Sequence, residues 1–387
     1  MKLILILTLS LTVSAKENLT QKWMGLNRLN SFDYKKQSFC FKNQDNVITG
    51  VNINKQIRPA SVSKLFTSLW ALEKLGEDYR FKTSFIIKDE SIYIKGSNDP
   101  FFVTENLLVV MGELASKGLF KRIVFDKSFY LNWSDNKETI KQSLKKIVNS
   151  SLWDNYFNEI LTSLDIYIKD YDLPYVLPSF FEVSDIQYED SFSIESEESE
   201  TNHFSSPLYM HLKQVNIYSN NFYADRIFDQ LGGQNSFHKY LYEKFNINSR
   251  DTRFDTGSGL GENRTTCSTT LKVLESLKDF TLNNDLSLKD IVSVAGSDSG
   301  TLKDRFKDSM SHRVLAKTGT LRHTSTLAGF LGKDQTHTFA VFNHTYKTGK
   351  ARKMQNKFIR FYSETNATTR FSYHPINYLS VLNTIIK

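Results

Sequence analysis

Cysteine is scarce in this chain: Cys40 and Cys267 are the only two in 387 residues. That excludes a disulfide-stapled scaffold and a thiolate-clustered metal site. The two could pair in an oxidising compartment, but sequence cannot establish their proximity. Histidine pairs at metal-ligand spacing are also missing, so neither a metal nor any other cofactor is expected. After the N-terminus no stretch approaches about 18 uninterrupted apolar residues, which excludes a membrane span in the mature chain. Residues 1–15, MKLILILTLSLTVSA, carry one Lys, an apolar run and a small-residue cleavage site. They read as a secretory signal peptide, which places the mature protein in the periplasm or outside the cell. A nucleic-acid partner is not expected either, because the formal charge of +7 comes with no binding motif.

The charge is uneven. From Asp170 to Leu212 there are acidic residues and neither Lys nor Arg, so the rest of the chain is the more basic. A basic body suits anionic cell-wall polymers or a carboxylate-bearing substrate, but solvated lysines are the default reading.

The chain reads as one domain interrupted by another. A short amphipathic helix at 21–28 precedes the strand-like runs QSFCFKN and VITGVNINKQI, then a turn at Pro59 and a helix to Gly76. From Phe81 the texture changes to short strands (FKTSFIIK, SIYIKG), a turn at Ser97–Pro100, a helix (TENLLVVMGELASKG) and a strand (KRIVFDKSFY). The acidic tract SDIQYEDSFSIESEESETNHF has the look of a long exposed loop. Helices return after Asn202, followed by three strand candidates (HRVLAKTGTL, TSTLAGFLG, HTFAVFNHTY) and a last helix, KARKMQNKFIRFYSE. Its Met354, Phe358 and Phe361 suit packing on a sheet better than a membrane surface. The expected boundaries are 16–80 and 203–387 for the main domain and 81–202 for the insertion.

The helix after Pro59, RPASVSKLFTSLWALEKLG, is apolar on nearly every face, yet its first turn carries Ser61, Ser63 and Lys64. Burying those polar groups is costly unless they have partners or a task. Ser61 and Lys64 are three apart, within reach of each other on a helix. A serine becomes a nucleophile when a base takes its proton, and a lysine can be that base once burial or a neighbouring cation lowers its pKa. Ser-x-x-Lys alone is weak evidence, and Ser143 to Lys146 repeats it in a charged helical run. Two further groups strengthen it. Ser219-Asn220-Asn221 offers a hydroxyl and an amide at the start of an apolar-striped helix. Lys317-Thr318-Gly319, followed by Thr320, lies on a strand where Lys and Thr can hold a carboxylate and Gly admits a substrate backbone.

In this order the motifs resemble those of serine β-lactamases and penicillin-binding proteins. The chain is more similar to the low-molecular-mass class C penicillin-binding proteins, the D-alanyl-D-alanine carboxypeptidases and endopeptidases. The resemblance also rests on KGSNDPFF, DTGSGLGENR and AGSDSGTLKDR, and on the long separation of the first two motifs, which that family fills with inserted domains. It implies a mixed α/β (α+β) fold: a DD-transpeptidase-like domain with an antiparallel sheet flanked by helices, plus a smaller inserted domain. It implies Ser61 as nucleophile, Lys64 as base, Ser219 as proton relay to the leaving amine, Asn221 as orienting amide, and Lys317, Thr318 and Gly319 as the carboxylate-binding strand. The backbone N–H groups of Ser61 and Thr320 form the oxyanion hole. Peptidoglycan stem peptides are the implied substrates and β-lactams the implied covalent inhibitors. The middle motif departs from the commoner Ser-Asp-Asn at Asn220, whose side chain should point away from the substrate.

Other readings are weaker. Ser134-Asp135-Asn136 and Lys347-Thr348-Gly349 repeat two motifs, the first inside the insertion and the second in a turn before the last helix. Asp255-Thr256-Gly257-Ser258 and Asp298-Ser299-Gly300-Thr301 look like aspartic-peptidase signatures but lie too close in sequence to build a lobe between them, and read better as turns flanking the serine site. A serine β-lactamase, or an envelope protein that kept the pocket and lost turnover, are the alternatives. No general-base Glu announces itself for the former, and the motif residues are intact against the latter.

Overall fold

The computed structural model describes residues 19–194 and 199–387; the expected signal segment 1–15 lies outside them. In chain order the elements are helix α1 (19–29), strands β1 (Gln37–Lys42) and β2 (Ile48–Val51), a 3₁₀ turn (Ala60–Val62) and helix α2 (Ser63–Leu75). Then come β3 (Lys82–Lys88), β4 (Ser91–Lys95), α3 (Thr104–Ala115), β5 (Arg122–Phe125), α4 (Lys137–Ile147), α5 (Asn155–Asp170), β6 (Asp185–Tyr188) and β7 (Ser199–Phe204). The chain continues through α6 (Leu208–Tyr218), α7 (Asn221–Gln230), α8 (Gly233–Phe245) and α9 (Cys267–Asn283). It closes with β8 (Val314–Leu321), β9 (Thr324–Leu331), β10 (His337–His344), α10 (Thr348–Thr365) and β11 (Ile385–Ile386). The fold is mixed α/β, as the resemblance implies. It divides into two compact units, Met1–Gly76 with Leu212–Ile376, and Glu77–His211 with Asn377–Lys387.

The first unit holds a five-stranded antiparallel sheet in the order β2-β1-β10-β9-β8, joining early strands to late ones. Alternation along β1 decides what each face meets. Phe39 and Phe41 point to one side, where Phe39 packs 4.9 Å from Trp23 of α1 and Phe41 stacks on Tyr362 of α10 at 3.8 Å. Met354 and Phe358 of α10 are buried in that cluster and Phe361 is partly buried, so this helix covers the sheet. Cys40 points to the other side and is disulfide-bonded to Cys267, the first residue of α9. The expected second strand is shorter than the run VITGVNINKQI. It stops at Val51, because Asn52 turns into left-handed backbone (φ 55°) and its side-chain amide donates to the Gln37 carbonyl at 2.7 Å.

The second unit is a six-stranded sheet in the order β11-β7-β3-β4-β5-β6, parallel between β4, β5 and β6 and antiparallel elsewhere. Its core is built from Phe85, Ile92 and Ile94 with the apolar faces of α3, α4 and α5. The tract expected as a loop around 184–204 carries strands at both ends, β6 and β7. The residues that β7 buries are Thr201 and His203, so its inward face has no apolar periodicity to read. The C-terminal residues Asn377–Lys387 belong to this unit, where Ile385 pairs with Phe204. Among the described residues no helix is long and apolar enough to cross a membrane.

Candidate active site

Pro59 has φ −76°, and Ala60 follows at φ +50°, a backbone region unfavourable for a residue with a side chain. The chain then makes the 3₁₀ turn and enters α2, so Ser61 sits on a tight turn just before the α-helix rather than within it. Ser63 to Leu72 are all buried, and each hydroxyl among them has a partner. Ser63 Oγ accepts from Asn263 Nδ2 (3.0 Å), Thr67 Oγ1 donates to the Gly257 carbonyl (2.9 Å) and Ser68 Oγ donates to the Lys64 carbonyl (2.7 Å).

Lys64 is the centre of the site. Its Nζ lies 2.7 Å from Asn221 Oδ1, 3.1 Å from the Ser258 carbonyl and 3.2 Å from Ser61 Oγ. Two of these partners can only accept, while the serine hydroxyl can give or take. A neutral amine has two N–H groups and one lone pair, so the arrangement suits a neutral Lys64 receiving the Ser61 proton. Burial pushes the Lys64 pKa down to about 7, partly opposed by the negative charge of Asp225.

Lys317 projects from β8, fully buried, with Nζ donating to the Thr318 carbonyl at 3.0 Å. Burial first and the positive charge of Lys64 second hold its pKa well below the usual lysine range. Gly319 comes next, against the serine turn. A Cβ there would lie 2.7 Å from the Pro59 carbonyl oxygen and 2.9 Å from Ser61 N, and would also strike Thr326 Oγ1. Thr326 on β9 ties the turn to the sheet by donating to the Pro59 carbonyl at 2.8 Å. Thr318 is half-buried and Thr320 exposed on the free edge of β8, with Thr320 Oγ1 accepting from Arg352 (3.3 Å).

The third component comes from the break between α6 and α7. Ser219 takes left-handed backbone (φ 61°), which ends α6, and Asn220 caps α7 by accepting from Tyr223 N at 3.0 Å. The cap engages the Asn220 side chain and leaves Asn221, the first residue of α7, to reach Lys64. Ser219 stands half-buried two residues before that contact.

Two contributors lie outside the three catalytic motifs. The Ser258 carbonyl accepts from Lys64, and Asp225, one turn along α7 from Asn221, accepts from Ser258 N at 2.7 Å. The available signals were glycines on both sides of Ser258 and an acid four residues after the amide. The repeated motifs have local uses: Asn136 caps α4, accepting from Glu138 N and Thr139 N at 3.1 Å each, and Lys347 directly precedes α10. Lys146 is exposed and paired with Asp154 at 2.9 Å.

Known proteins resemble the chain over most of its length. The sequence profile of the D-Ala-D-Ala carboxypeptidase 3 (S13) family matches residues 41–147 and 185–365. Among solved structures, the predatory peptidoglycan endopeptidase Bd3459 of Bdellovibrio bacteriovorus is 26% identical, with TM-score 0.78 over 89% of this chain and 96% of its own. That protein has also been solved acylated by penicillin G. The predatory endopeptidase Bd0816 of the same organism shares the fold at 24% identity and TM-score 0.81, over 90% of this chain and 99% of its own. Penicillin-binding protein 4 of Haemophilus influenzae shares it at 19% identity and TM-score 0.60, over 90% and 99%. No curated protein matches the chain.

Proposed function

The chain belongs to the D-Ala-D-Ala carboxypeptidase 3 (S13) family, and from that premise we propose that it is a serine DD-peptidase of peptidoglycan stem peptides, working as carboxypeptidase, endopeptidase or both. The observation that carries this reading is the contact of Lys64 Nζ with Ser61 Oγ at 3.2 Å, in a pocket that keeps the amine able to accept a proton near neutrality.

Neutral Lys64 takes the Ser61 proton as Oγ attacks the carbonyl carbon of the penultimate D-alanine. The carbonyl oxygen becomes an oxyanion held by the N–H groups of Ser61 and Thr320, worth about 3 kcal/mol per donor. As the tetrahedral carbon collapses, the bond to the leaving amine breaks and Ser219 relays to that amine the proton Lys64 had taken, which leaves Lys64 neutral again. Asn221 keeps Lys64 in register. Lys317 and Thr318 hold the terminal carboxylate, and that anion favours the ammonium form of Lys317, which in turn keeps Lys64 neutral. Water then hydrolyses the ester on Ser61. A β-lactam carbonyl enters the same step and leaves a stable acyl-enzyme.

In this reading the first unit, which resumes at Leu212 and ends at Ile376, is the catalytic domain, and Glu77–His211 is the insertion, joined by the C-terminal Asn377–Lys387. Export by the N-terminal segment delivers the chain to the compartment where its substrate lies, and the Cys40–Cys267 bridge suits such an oxidising environment. The test is digestion of purified monomeric and crosslinked muropeptides by wild type and Ser61→Ala, with products identified by mass. The wild type is expected to release D-alanine or sever crosslinks, and the variant to do neither. A wild type inert on both substrates, or an equally active variant, overturns the proposal.

A further inference from the structure

We propose that Asp225 is a positioning residue for Lys64: it fixes the Ser258 peptide against the amine and supplies the negative charge set against Lys317. This rests on the reading of Lys64 as the base.

One face of α7 governs Lys64 twice. Asn221 touches it directly at 2.7 Å, and Asp225, one turn further, acts through a single residue. Asp225 Oδ1 accepts from Ser258 N at 2.7 Å, and the carbonyl of the same Ser258 accepts from Lys64 Nζ at 3.1 Å. The loop is shaped for this. A Cβ on Gly257 would strike the Ala224 carbonyl, and Gly259, at φ +88°, would bring one within 2.8 Å of Ser63 Oγ and into the Ala60 carbonyl. With glycine on both sides, the Ser258 peptide is clamped between α7 and the serine turn, and its direction is set by the carboxylate that holds its N–H.

The charged groups that face Lys64 are Lys317 from β8 and Asp225 from α7. In the loop 255–264, Asp255 is taken up by Arg253 at 2.7 Å, and Glu262 by Arg58 and Arg264 at 2.6 and 2.8 Å. The residues that α9 buries, from Cys267 to Thr281, carry no charge. Asp225 therefore opposes both the burial of the amine and the repulsion between the two lysines. It favours the proton on Lys64 after Ser61 has given it up, which is the state the tetrahedral intermediate requires.

The experiment is the pH profile of Ser61 acylation by a fluorescent penicillin, for wild type, Asp225→Asn and Asp225→Ala. Asparagine keeps an acceptor for Ser258 N–H and removes only the charge, so it isolates the electrostatic part without emptying the site. Loss of the anion lowers the pKa of Lys64, and the acid limb of the Asn variant should move to lower pH by about 0.5–1 unit. The Ala variant should show the same displacement together with a plateau reduced about tenfold or more, because the Ser258 peptide is released as well. A purely structural role would lower the rate at every pH and leave the limb in place. Acid limbs that coincide in wild type and the Asn variant overturn the proposal. A wild type that penicillin never labels at Ser61 overturns the serine-peptidase reading instead.

Discussion

Gly319 passes so close to Ser61 that a methyl group on it would stand 2.9 Å from the serine nitrogen. That nitrogen is one proposed donor to the oxyanion, so the missing side chain keeps β8 against the turn. Gly319→Ala should push strand and turn apart and lower the second-order rate of penicillin acylation about 100-fold, because displacements near 1 Å at a reacting centre cost that much. Stopped-flow acylation of the folded variant checks this, and an unchanged rate would show that the close approach is incidental.

The pKa of about 7 for Lys64 sets a pH dependence. A lysine whose pKa is lowered is protonated, and useless as a base, below that value, and competent above it. Acylation of the wild type should therefore fall about tenfold per pH unit below about pH 6 and level off above about pH 8. Lys64→Arg, which places a cation that cannot deprotonate there, should reduce the rate by about 100-fold or more at every pH. A flat profile from pH 5 to 9 would contradict the assignment.

The sequence announced those parts of the site where side-chain chemistry and local structure conflict. Ser61 and Lys64 stood out because they open a run that reads as a helix apolar on nearly every other face, and Lys317 because Thr318 and Gly319 follow it on a strand. What it could not announce was carried by backbone or by distance along the chain. The Ser258 carbonyl that receives Lys64 has no side-chain signature, and Asp225 is one acid among many until its bond to Ser258 N is seen. β7 was hidden because Thr201 and His203 form its inner face, and the placement of Asn377–Lys387 in the second unit rests on contacts distant in sequence: Val381 in the core, Tyr167 and Tyr175 donating to the Asn377 and Thr384 carbonyls, and the short pairing with β7.

Cys40 and Cys267 are 227 residues apart in sequence and bonded in the fold, joining β1 of the sheet to the start of α9. A bridge that closes so long a loop constrains the unfolded chain strongly. Cys40→Ser with Cys267→Ser should lose about 2–5 kcal/mol of stability in urea titration. The bridge touches none of the Lys64 partners, so penicillin acylation should persist at temperatures where the variant remains folded. Equal stability of oxidised and variant proteins would argue against the bridge as a stabilising link.

Lys213 and Asp298 form another long-range tie, an ion pair of 2.6 Å in which the carboxylate is buried and the lysine nearly so. Asp298 also accepts from Val294 N (2.7 Å) and the Tyr373 hydroxyl, and Lys213 donates to the Val292 carbonyl at 2.9 Å. The loop they fix turns at Gly300 (φ +83°), where a Cβ would strike the Ile217 carbonyl two residues before Ser219, and Thr301 donates to that same carbonyl at 3.4 Å. Removing one partner leaves the other charge buried and unpaired, so Asp298→Ala should destabilise the protein by about 3–5 kcal/mol. Replacing both with apolar residues, Lys213→Met with Asp298→Leu, should recover part of that loss, since the desolvation of both charges disappears with their attraction. Denaturation of the single and double variants separates the two contributions. If the double variant is no more stable than Asp298→Ala, the carboxylate acts chiefly through its bonds to Val294 and Tyr373, and the lysine is there to neutralise it.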